Sequence, residues 1–309
     1  MESLKVIVKD MKQPQLLTPE WEDYELIDSG DFEKLERFGR CITRRPEPQA
    51  IWRKSLAEQE WCRVATATFR REGGSEERGK WSLAPRQPEQ WHISQAIGDK
   101  RITLRLGLTS FKHVGVFPEQ AENWNFIFES VKALDKQRAQ EGTRPKVLNM
   151  FAYTGGASLA AAAAGGDVTH VDSVKQCITW ARENMEASGL SGIRWVVEDA
   201  LKFARREVKR GHRYDGIILD PPAYGRGPEG EKWVLEENIA EMLSLCGEML
   251  SEGGFLVLNL YSMGLSAMLA KSAVNQVIPN PSMEQFGELY FTDRAGKSLP
   301  LGVYYRCRK

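Results

Sequence analysis

Short apolar runs alternate with helical patterns along the second half of the chain. VLNMF, VTHVD, IRWVVED and YDGIILD each precede a segment whose apolar residues recur at helical spacing, and FLVLNLYS follows the last of these segments. A run of β-branched residues predicts a buried strand, and the 3.6-residue period predicts a helix with one buried face. Four strand-helix repeats therefore predict an α/β fold with parallel strands joined by crossover helices.

The C-terminal segment GELYFTDRAGKSLPLGVYYRCRK contains two further strand-like runs around a turn. Such a pair predicts an antiparallel hairpin at the edge of the sheet. Together with the five preceding runs, the hairpin completes a predicted seven-stranded, Rossmann-like sheet.

The front of the chain instead has short, aromatic-rich runs separated by proline, glycine and charge clusters. We expect strands in FGRCITRR, AIWRKSL, EWCRVATATFR, WSLAP, WHIS and KRITLRLGLTSF. These runs predict a compact antiparallel β domain, followed by a helix from about Glu119 to Gln140. We therefore divide the chain into a β-rich domain at 1–117, a connecting helix and linker at 118–145, and an α/β domain at 146–309.

Composition narrows the class of protein. The 309 residues are 42% apolar and 27% charged, which is enough material for a sizeable core and two domains. Lys and Arg number 42, as do Asp and Glu, so any affinity for nucleic acid must come from a local basic patch. The apolar stretches are too short to cross a bilayer, and the N-terminus has no secretory core. We expect a cytoplasmic protein without membrane contact.

The five cysteines and four histidines are scattered and form no CxxC or Cys/His cluster. This spacing predicts neither a metal site nor a disulfide framework. Cys177 and Cys246 fall on the apolar faces of predicted helices, where we expect buried free thiols.

Candidate chemistry lies at the strand ends, because ligands of an open parallel sheet bind beyond its carboxyl edge. The first strand leads through Asn149 to Gly155 and Gly156 at a helix start, where backbone N–H groups favour a negative group. Asp172 ends the second strand, 17 residues after Gly155. That is close to the roughly 20 residues at which an acid receives ribose hydroxyls in dinucleotide folds. Asp199, at the end of the third strand, is placed to contact an adenine amino group.

The fourth strand ends in LDPPAYGRG, which holds the Asp220 carboxylate in a stiff segment, because each proline fixes its own φ and restricts the residue before it. Taken alone, each strand end also fits a structural role, such as a turn glycine or a helix N-cap. In order and at one edge, they favour a cofactor that contains a nucleoside.

S-adenosylmethionine fits these residues better than NAD does, because FAYTGGAS lacks the G-x-G-x-x-G pattern that cradles a pyrophosphate. We expect its adenine near Asp199 and its ribose on Asp172. The methionine end is then expected near 149–155, with the methyl group directed at Asp220.

Four segments also resemble consecutive motifs of class I S-adenosylmethionine-dependent methyltransferases: NMFAYTGGASLAAAAAGG, THVDSVKQCITWARENME, WVVEDALKF and LDPPAYGRG. The resemblance is closest to the bacterial 23S ribosomal RNA methyltransferases that include cytosine-C5 enzymes and related guanine-N7 domains. It covers the chain from about Phe111 onward, so it implies that 146–309 is the methyltransferase domain. The front half is similar to the family's middle domain and is a candidate for RNA binding.

The resemblance implies roles for individual residues. Besides Asn149, it implies cofactor contacts for Gln120, Phe151, Tyr153, Thr154, Gly155, Asp172, Ser173, Asp199, Ala200 and Asp220. It also implies that Asp220, Pro221, Pro222 and Tyr224 form the catalytic segment, where a base taken out of its stack meets aromatic or apolar surfaces.

One segment departs from the cytosine-C5 members. C5 methylation uses a cysteine thiolate that attacks C6, and in those members the cysteine follows the fifth strand. Here the matching LNLYSMGLS has Tyr261, Ser262 and Met263 instead. We therefore expect methylation of a ribosomal RNA base at nitrogen, without a cysteine nucleophile. Cytosine-C5 methylation, a small-molecule acceptor and a non-catalytic RNA-binding assembly factor remain alternatives, and the sequence does not determine the oligomeric state.

Four basic segments are candidates for phosphate contacts if RNA is the substrate. They are Arg44-Arg45, Arg70-Arg71, Arg205-Arg206 with Lys209-Arg210, and Arg306-Arg308-Lys309. A solvated helix face is the simpler explanation of the third segment.

Overall fold

The computed structural model describes residues 13–73, 77–138, 142–261 and 264–309. The helices are α1 (Glu58–Val64), α2 (Ala121–Arg138), α3 (Gly156–Ala163), α4 (Lys175–Ala187), α5 (Ala200–Lys209), α6 (Leu235–Met249) and α7 (Ala267–Val277), with a 3-10 turn at Pro118–Gln120. The first strands are β1 (Gln15–Leu17), β2 (Tyr24–Gly30), β3 (Glu33–Phe38), β4 (Cys41–Pro46), β5 (Ala67–Arg71), β6 (Gly79–Leu83), β7 (Gln90–Ile97) and β8 (Lys100–Gly107). The later strands are β9 (Lys146–Met150), β10 (Asp167–Asp172), β11 (Arg194–Val197), β12 (Tyr214–Leu219), β13 (Tyr224–Arg226), β14 (Lys232–Val234), β15 (Leu250–Leu260), β16 (Met283–Thr292) and β17 (Ser298–Arg308).

The main sheet has the strand order β1-β16-β17-β15-β12-β9-β10-β11. Strands β9 to β12 and β15 pair in parallel, and β17 lies antiparallel between β15 and β16. The predicted seven-stranded α/β sheet with its antiparallel C-terminal hairpin is therefore confirmed. The short β1 adds an eighth strand beside β16. The backbones of β1 and β16 lie so close together that a Cβ at Gly287 would be 1.7 Å from the carbonyl oxygen of Gln15.

Alternate residues of the central strands face two apolar layers. Val147 and Ile218 belong to the layer that α2 and α3 cover. Leu148 and Ile217 point the other way, into the layer that α5, α6 and α7 cover. Burial on both faces explains why these strands are continuous apolar runs in the sequence. In the described ranges, no helix is long and apolar enough to span a membrane.

The front of the chain forms a five-stranded sheet, β2-β3-β4-β5-β6, and the separate hairpin β7-β8. Its pairs are antiparallel except for β4 and β5, which are parallel. A parallel pair needs a crossover connection, and α1 lies within it. Because β1 pairs in the main sheet, the front part of the chain contributes to both halves of the molecule, and the boundary at residue 117 stays a prediction.

Two predicted front strands are wrong. The EWCRV part of EWCRVATATFR is helix α1, whose Trp61 is fully buried against Ile27 and Leu35. The run AIWRKSL is not a strand, because the backbone N–H groups of Ser55 and Leu56 donate to the Asp28 carboxylate instead of a ladder, at 3.1 and 2.9 Å. The expected helix near Glu119 is present as the 3-10 turn and α2, and its expected end, Gln140, lies outside the described residues.

The hairpin β7-β8 is fixed to α4 by side chains of both elements. The indole Nε1 of Trp180 donates to the Arg105 carbonyl at 2.7 Å, and the Arg105 guanidinium lies 4.3 Å from the centre of that indole. Asn184 accepts the Arg105 backbone N–H at 2.7 Å. These contacts hold the front hairpin against the helix that follows β10.

Candidate active site

A cavity opens where β9, β12 and β15 end, beneath the start of α2. Seven of the residues predicted for the site line it: Gln120, Asn149, Phe151, Tyr153, Thr154, Gly155 and Asp220. The structure therefore brings together residues that are up to a hundred positions apart in the sequence.

The loop from β9 to α3 is held in a strained backbone conformation. Phe151 and Tyr153 have positive φ values of 56° and 50°, which cost a non-glycine residue about 1–3 kcal/mol each. Asp172 stabilises the loop, because its Oδ2 accepts the Tyr153 N–H at 2.8 Å while its Oδ1 accepts the Val174 N–H at 2.8 Å. Burial raises the pKa of Asp172, and these two hydrogen bonds oppose that effect.

The end of the same loop begins α3. Gly155 has a φ of 91°, and a Cβ at Gly156 would lie 2.3 Å from the Trp124 ring, so glycine fits both positions. Thr154 donates its hydroxyl to the Gly115 carbonyl at 2.6 Å. The segment before α2 is thus tied to the loop that forms one wall of the cavity.

Asp220 ends β12 at the centre of the cavity. Asn259, on the neighbouring β15, donates its Nδ2 to Asp220 Oδ1 at 3.0 Å. Asp220 keeps some exposure toward the cavity, yet the surrounding protein desolvates the carboxyl and, against the Asn259 hydrogen bond, raises its pKa to about 7. Asp220 can therefore exist as carboxylate or as acid near neutral pH.

A chain of hydrogen bonds lies along one wall of the cavity. Gln120 Nε2 donates to the Tyr261 hydroxyl at 2.8 Å, and Asn123 Nδ2 donates to Gln120 Oε1 at 2.7 Å. Arg306 Nε donates to Asn123 Oδ1 at 2.7 Å. Phe117 packs against Tyr261, with ring centroids 5.2 Å apart.

Sequence reasoning did not assign Asn123, Asn259 or Arg306 to the site. Of these three, only Asn259 could have been suspected from the sequence, because it is a polar residue near the end of the predicted fifth strand.

The segment after Asp220 forms a small flap made of β13 and β14. Trp233 donates its Nε1 to the Pro222 carbonyl at 2.7 Å and packs against Phe151, with ring centroids 4.6 Å apart. Pro221 is buried and Pro222 is exposed. Tyr224, at the edge of the flap, has 53% of its surface exposed.

Four predicted cofactor residues are at neighbouring strand ends and do not line the cavity that the described residues enclose: Asp172, Ser173, Asp199 and Ala200. Asp199 caps α5, because its Oδ1 accepts the Lys202 N–H at 2.8 Å. The helix cap that the sequence suggested for a strand-end acid is therefore present at Asp199, whereas Asp172 accepts the Tyr153 and Val174 N–H groups without capping α4.

Comparison with known proteins identifies the family. The family model described as S-adenosylmethionine-dependent methyltransferase matches residues 66–283. The chain belongs to this family. A crystal structure of the SAM-dependent methyltransferase from Agrobacterium tumefaciens is 37% identical and covers 96% of this chain and 93% of that one, with a TM-score of 0.85. The predicted class I fold, enzyme class and S-adenosylmethionine cofactor are thereby confirmed.

Curated relatives of this methyltransferase carry more specific names. Ribosomal RNA large subunit methyltransferase K/L of Shewanella frigidimarina is 30% identical over 169 residues, which cover 53% of this chain and 22% of that protein. Ribosomal RNA large subunit methyltransferase I of Klebsiella pneumoniae is 25% identical over 179 residues, which cover 52% of this chain and 41% of that protein. The chain spans less than half the length of the curated relatives it matches.

No cysteine of this methyltransferase lies among the described residues that line the cavity. Cys246 and Cys307 are fully buried in the apolar layer on the α6 and α7 side of the sheet, and burial raises the pKa of both thiols. Cys246 is thus the buried free thiol that its helical pattern predicted, whereas Cys177 is only half-buried. Ser262 and Met263, which occupy the segment of the C5 cysteine, lie outside the described residues.

Several arginines of the predicted basic segments are buried or paired with a carboxylate. Arg45 is buried against Glu36, and Arg306 is buried beside the cavity wall. Arg205 and Arg206 each pair with a glutamate, at 2.6 Å. Arg70 and Arg71 are both exposed at the end of β5, and Arg205, Lys209 and Arg210 of the third segment are exposed as well.

Proposed function

We propose that this methyltransferase methylates a base of ribosomal RNA at a nitrogen atom, with Asp220 positioning the acceptor. The observation that carries the proposal is the Asp220 carboxyl, held by Asn259 at 3.0 Å in a cavity whose described lining has no cysteine. Two curated relatives are named as ribosomal RNA large subunit methyltransferases, which supports RNA as the substrate class.

The chemistry required of the protein is modest if the acceptor is nitrogen. S-adenosylmethionine supplies an electrophilic methyl group when bound, and a nitrogen lone pair attacks carbon without prior covalent activation. Asp220 then has two tasks: to orient the acceptor and, for an exocyclic amine, to accept a hydrogen of that amine. The Asn259 N–H stabilises the ionised form of Asp220 that performs them.

The cofactor residues follow from the same proposal. Asn149 and the 151–155 loop would hold the methionine end, because the first N–H groups of α3 favour its carboxylate. Asp172 with Ser173 would hold the ribose, and Asp199 with Ala200 would hold the adenine. Gln120 supports the cavity wall through Tyr261.

The target base is proposed to enter beside the 221–224 segment, which leads into the flap. Tyr224 offers an exposed ring on which an unstacked base can rest, and Pro221 and Pro222 fix the distance from that ring to Asp220. The β-rich front half, which includes Arg70 and Arg71, supplies contacts to the RNA backbone.

A small-molecule acceptor is the second candidate, because arginines in three of the four basic segments are buried or paired within the protein. Salt distinguishes the two candidates, because the affinity of a protein for RNA falls steeply as the salt concentration rises.

The test is transfer of labelled methyl from S-adenosylmethionine to total and ribosomal RNA by the purified chain, followed by mass spectrometry of the nucleosides. We expect one N-methylated nucleoside, lost in Asp220→Ala although that variant still binds S-adenosylhomocysteine. Label in 5-methylcytosine, or full turnover by Asp220→Ala, would contradict the proposal. Label in small molecules alone would favour the second candidate.

A further inference from the structure

Three buried polar side chains at the cavity form a chain of hydrogen bonds that does not include Asp220 or the 221–224 segment. Asn149 Nδ2 lies 2.9 Å from Ser158 Oγ, and Ser158 Oγ lies 2.9 Å from His170 Nδ1. Asn149, Ser158 and His170 are 2%, 0% and 0% exposed. They belong to β9, α3 and β10, and Asn149 and His170 are direct neighbours across the two strands.

The direction of the chain follows from donor and acceptor chemistry. Burial, partly opposed by the Tyr153 backbone, lowers the pKa of His170 to about 3, so the ring is neutral. The other ring nitrogen, Nε2, has no hydrogen-bond partner among the described residues, and the ring packs edge-on against Trp195, with centroids 4.9 Å apart. Because Ser158 Oγ receives the Asn149 N–H, its own hydrogen is available for Nδ1, and the tautomer with its hydrogen on Nε2 is the one that accepts it.

This direction fixes the orientation of the Asn149 amide. A rotated amide would turn Oδ1 toward a Ser158 oxygen whose single hydrogen is already donated to His170, so two acceptors would face each other. In the orientation observed, Oδ1 accepts no hydrogen bond from a described residue and is not sealed from the cavity that Asn149 lines. The cavity therefore presents a carbonyl oxygen, not an amide N–H group, at this position.

We infer that Ser158 and His170 are positioning residues that lock the Asn149 amide with its oxygen toward the α-ammonium group of S-adenosylmethionine. An ammonium group has three N–H donors and no acceptor, so it binds an amide oxygen and is repelled by an amide N–H group. The inference rests on the proposed contact between Asn149 and the methionine end of the cofactor.

The experiment compares two ligands by calorimetry. S-adenosylhomocysteine carries the α-ammonium group, whereas 5′-methylthioadenosine has the same adenosine and lacks that group. Ser158→Ala removes the acceptor for Asn149 Nδ2, so we expect the Kd of S-adenosylhomocysteine to rise about tenfold, as for loss of a hydrogen bond to a charged group. The Kd of 5′-methylthioadenosine should not change.

Substitutions of His170 separate positioning from folding. His170→Leu should have the same ligand-selective effect, and His170→Gln should restore the affinity because its amide oxygen can accept the Ser158 hydroxyl. Ser29→Ala is the matched control, since Ser29 is equally buried but lies in the front sheet. It should alter neither affinity. If Ser158→Ala fails to fold, the two His170 variants decide the question.

Two results would overturn the inference while leaving the proposed function intact. One is an unchanged affinity for S-adenosylhomocysteine in Ser158→Ala or His170→Leu, and the other is an equal loss for both ligands. If Asn149→Leu also keeps full affinity for S-adenosylhomocysteine, then the proposed cofactor contact of Asn149 is itself wrong, and the inference fails with it.

Discussion

Replacing Asn259 with leucine tests how the protein controls the charge of Asp220. The substitution keeps the side-chain size but removes the Nδ2 that donates to Asp220 Oδ1 at 3.0 Å. A hydrogen bond to a charged group contributes about 1.5–3 kcal/mol, so ionising Asp220 becomes harder by about that amount. With a pKa of about 7, roughly half of the wild-type protein carries the carboxylate at pH 7. In Asn259→Leu that fraction falls to between about 0.6 and 7%.

Methyl transfer at pH 7 should therefore fall about 7- to 80-fold in Asn259→Leu, and it should recover as the pH rises. The sign follows from the role of the carboxylate, because activity grows as Asp220 loses its proton. The assay is the pH dependence of methyl transfer to RNA, with S-adenosylhomocysteine binding measured in parallel. Asn275→Leu is the matched control, since Asn275 also donates to a carboxylate, Glu284 at 3.1 Å, but lies on α7 away from the cavity. An unchanged midpoint of the pH profile in Asn259→Leu, with cofactor binding retained, would refute the assignment of Asp220.

Three further predictions concern other parts of the molecule. Asp172→Ala leaves the Tyr153 N–H, in the loop from β9 to α3, and the Val174 N–H, before α4, without an acceptor, at a cost of about 1–3 kcal/mol each. The affinity for S-adenosylhomocysteine and the melting temperature should therefore both fall, which calorimetry and thermal unfolding check. Although burial alone would raise it, Arg45 lowers the pKa of Glu36 to about 2, so Glu36 stabilises the fold above its ordinary pKa of 4.5 and that stability is lost as the pH falls toward 2. Glu36→Ala should cost about 3–5 kcal/mol in urea unfolding at pH 7, because the Arg45 charge stays buried, and a small loss would show that Arg45 finds another partner. Cys246→Ala should retain methyl transfer, because the thiol lies in the layer opposite the cavity, and abolished transfer by a folded variant would point to a cysteine mechanism.

The main sheet was predictable because its strands are buried on both faces, so each one is an apolar run between helical patterns. The predicted strand ends followed from the same pattern, since parallel strands place their carboxyl ends at one edge. In the front half, short runs gave less information. EWCRV forms a helix that buries Trp61 against Ile27 and Leu35. AIWRKSL does not pair as a strand, because its last backbone N–H groups donate to the Asp28 carboxylate.

The sequence by itself determined the fold class, the family and the set of strand-end residues that we propose for the cofactor. Those properties depend on periodicity and on motifs, which are local along the chain. Only the tertiary structure decided which of those residues share a cavity and what state they are in. Asp220 meets Asn259, and Asn149 meets Ser158 and His170, only because parallel pairing sets distant strands side by side. Burial then shifts the pKa of Asp220 and His170 by an amount that depends on the surrounding atoms, which no local pattern contains.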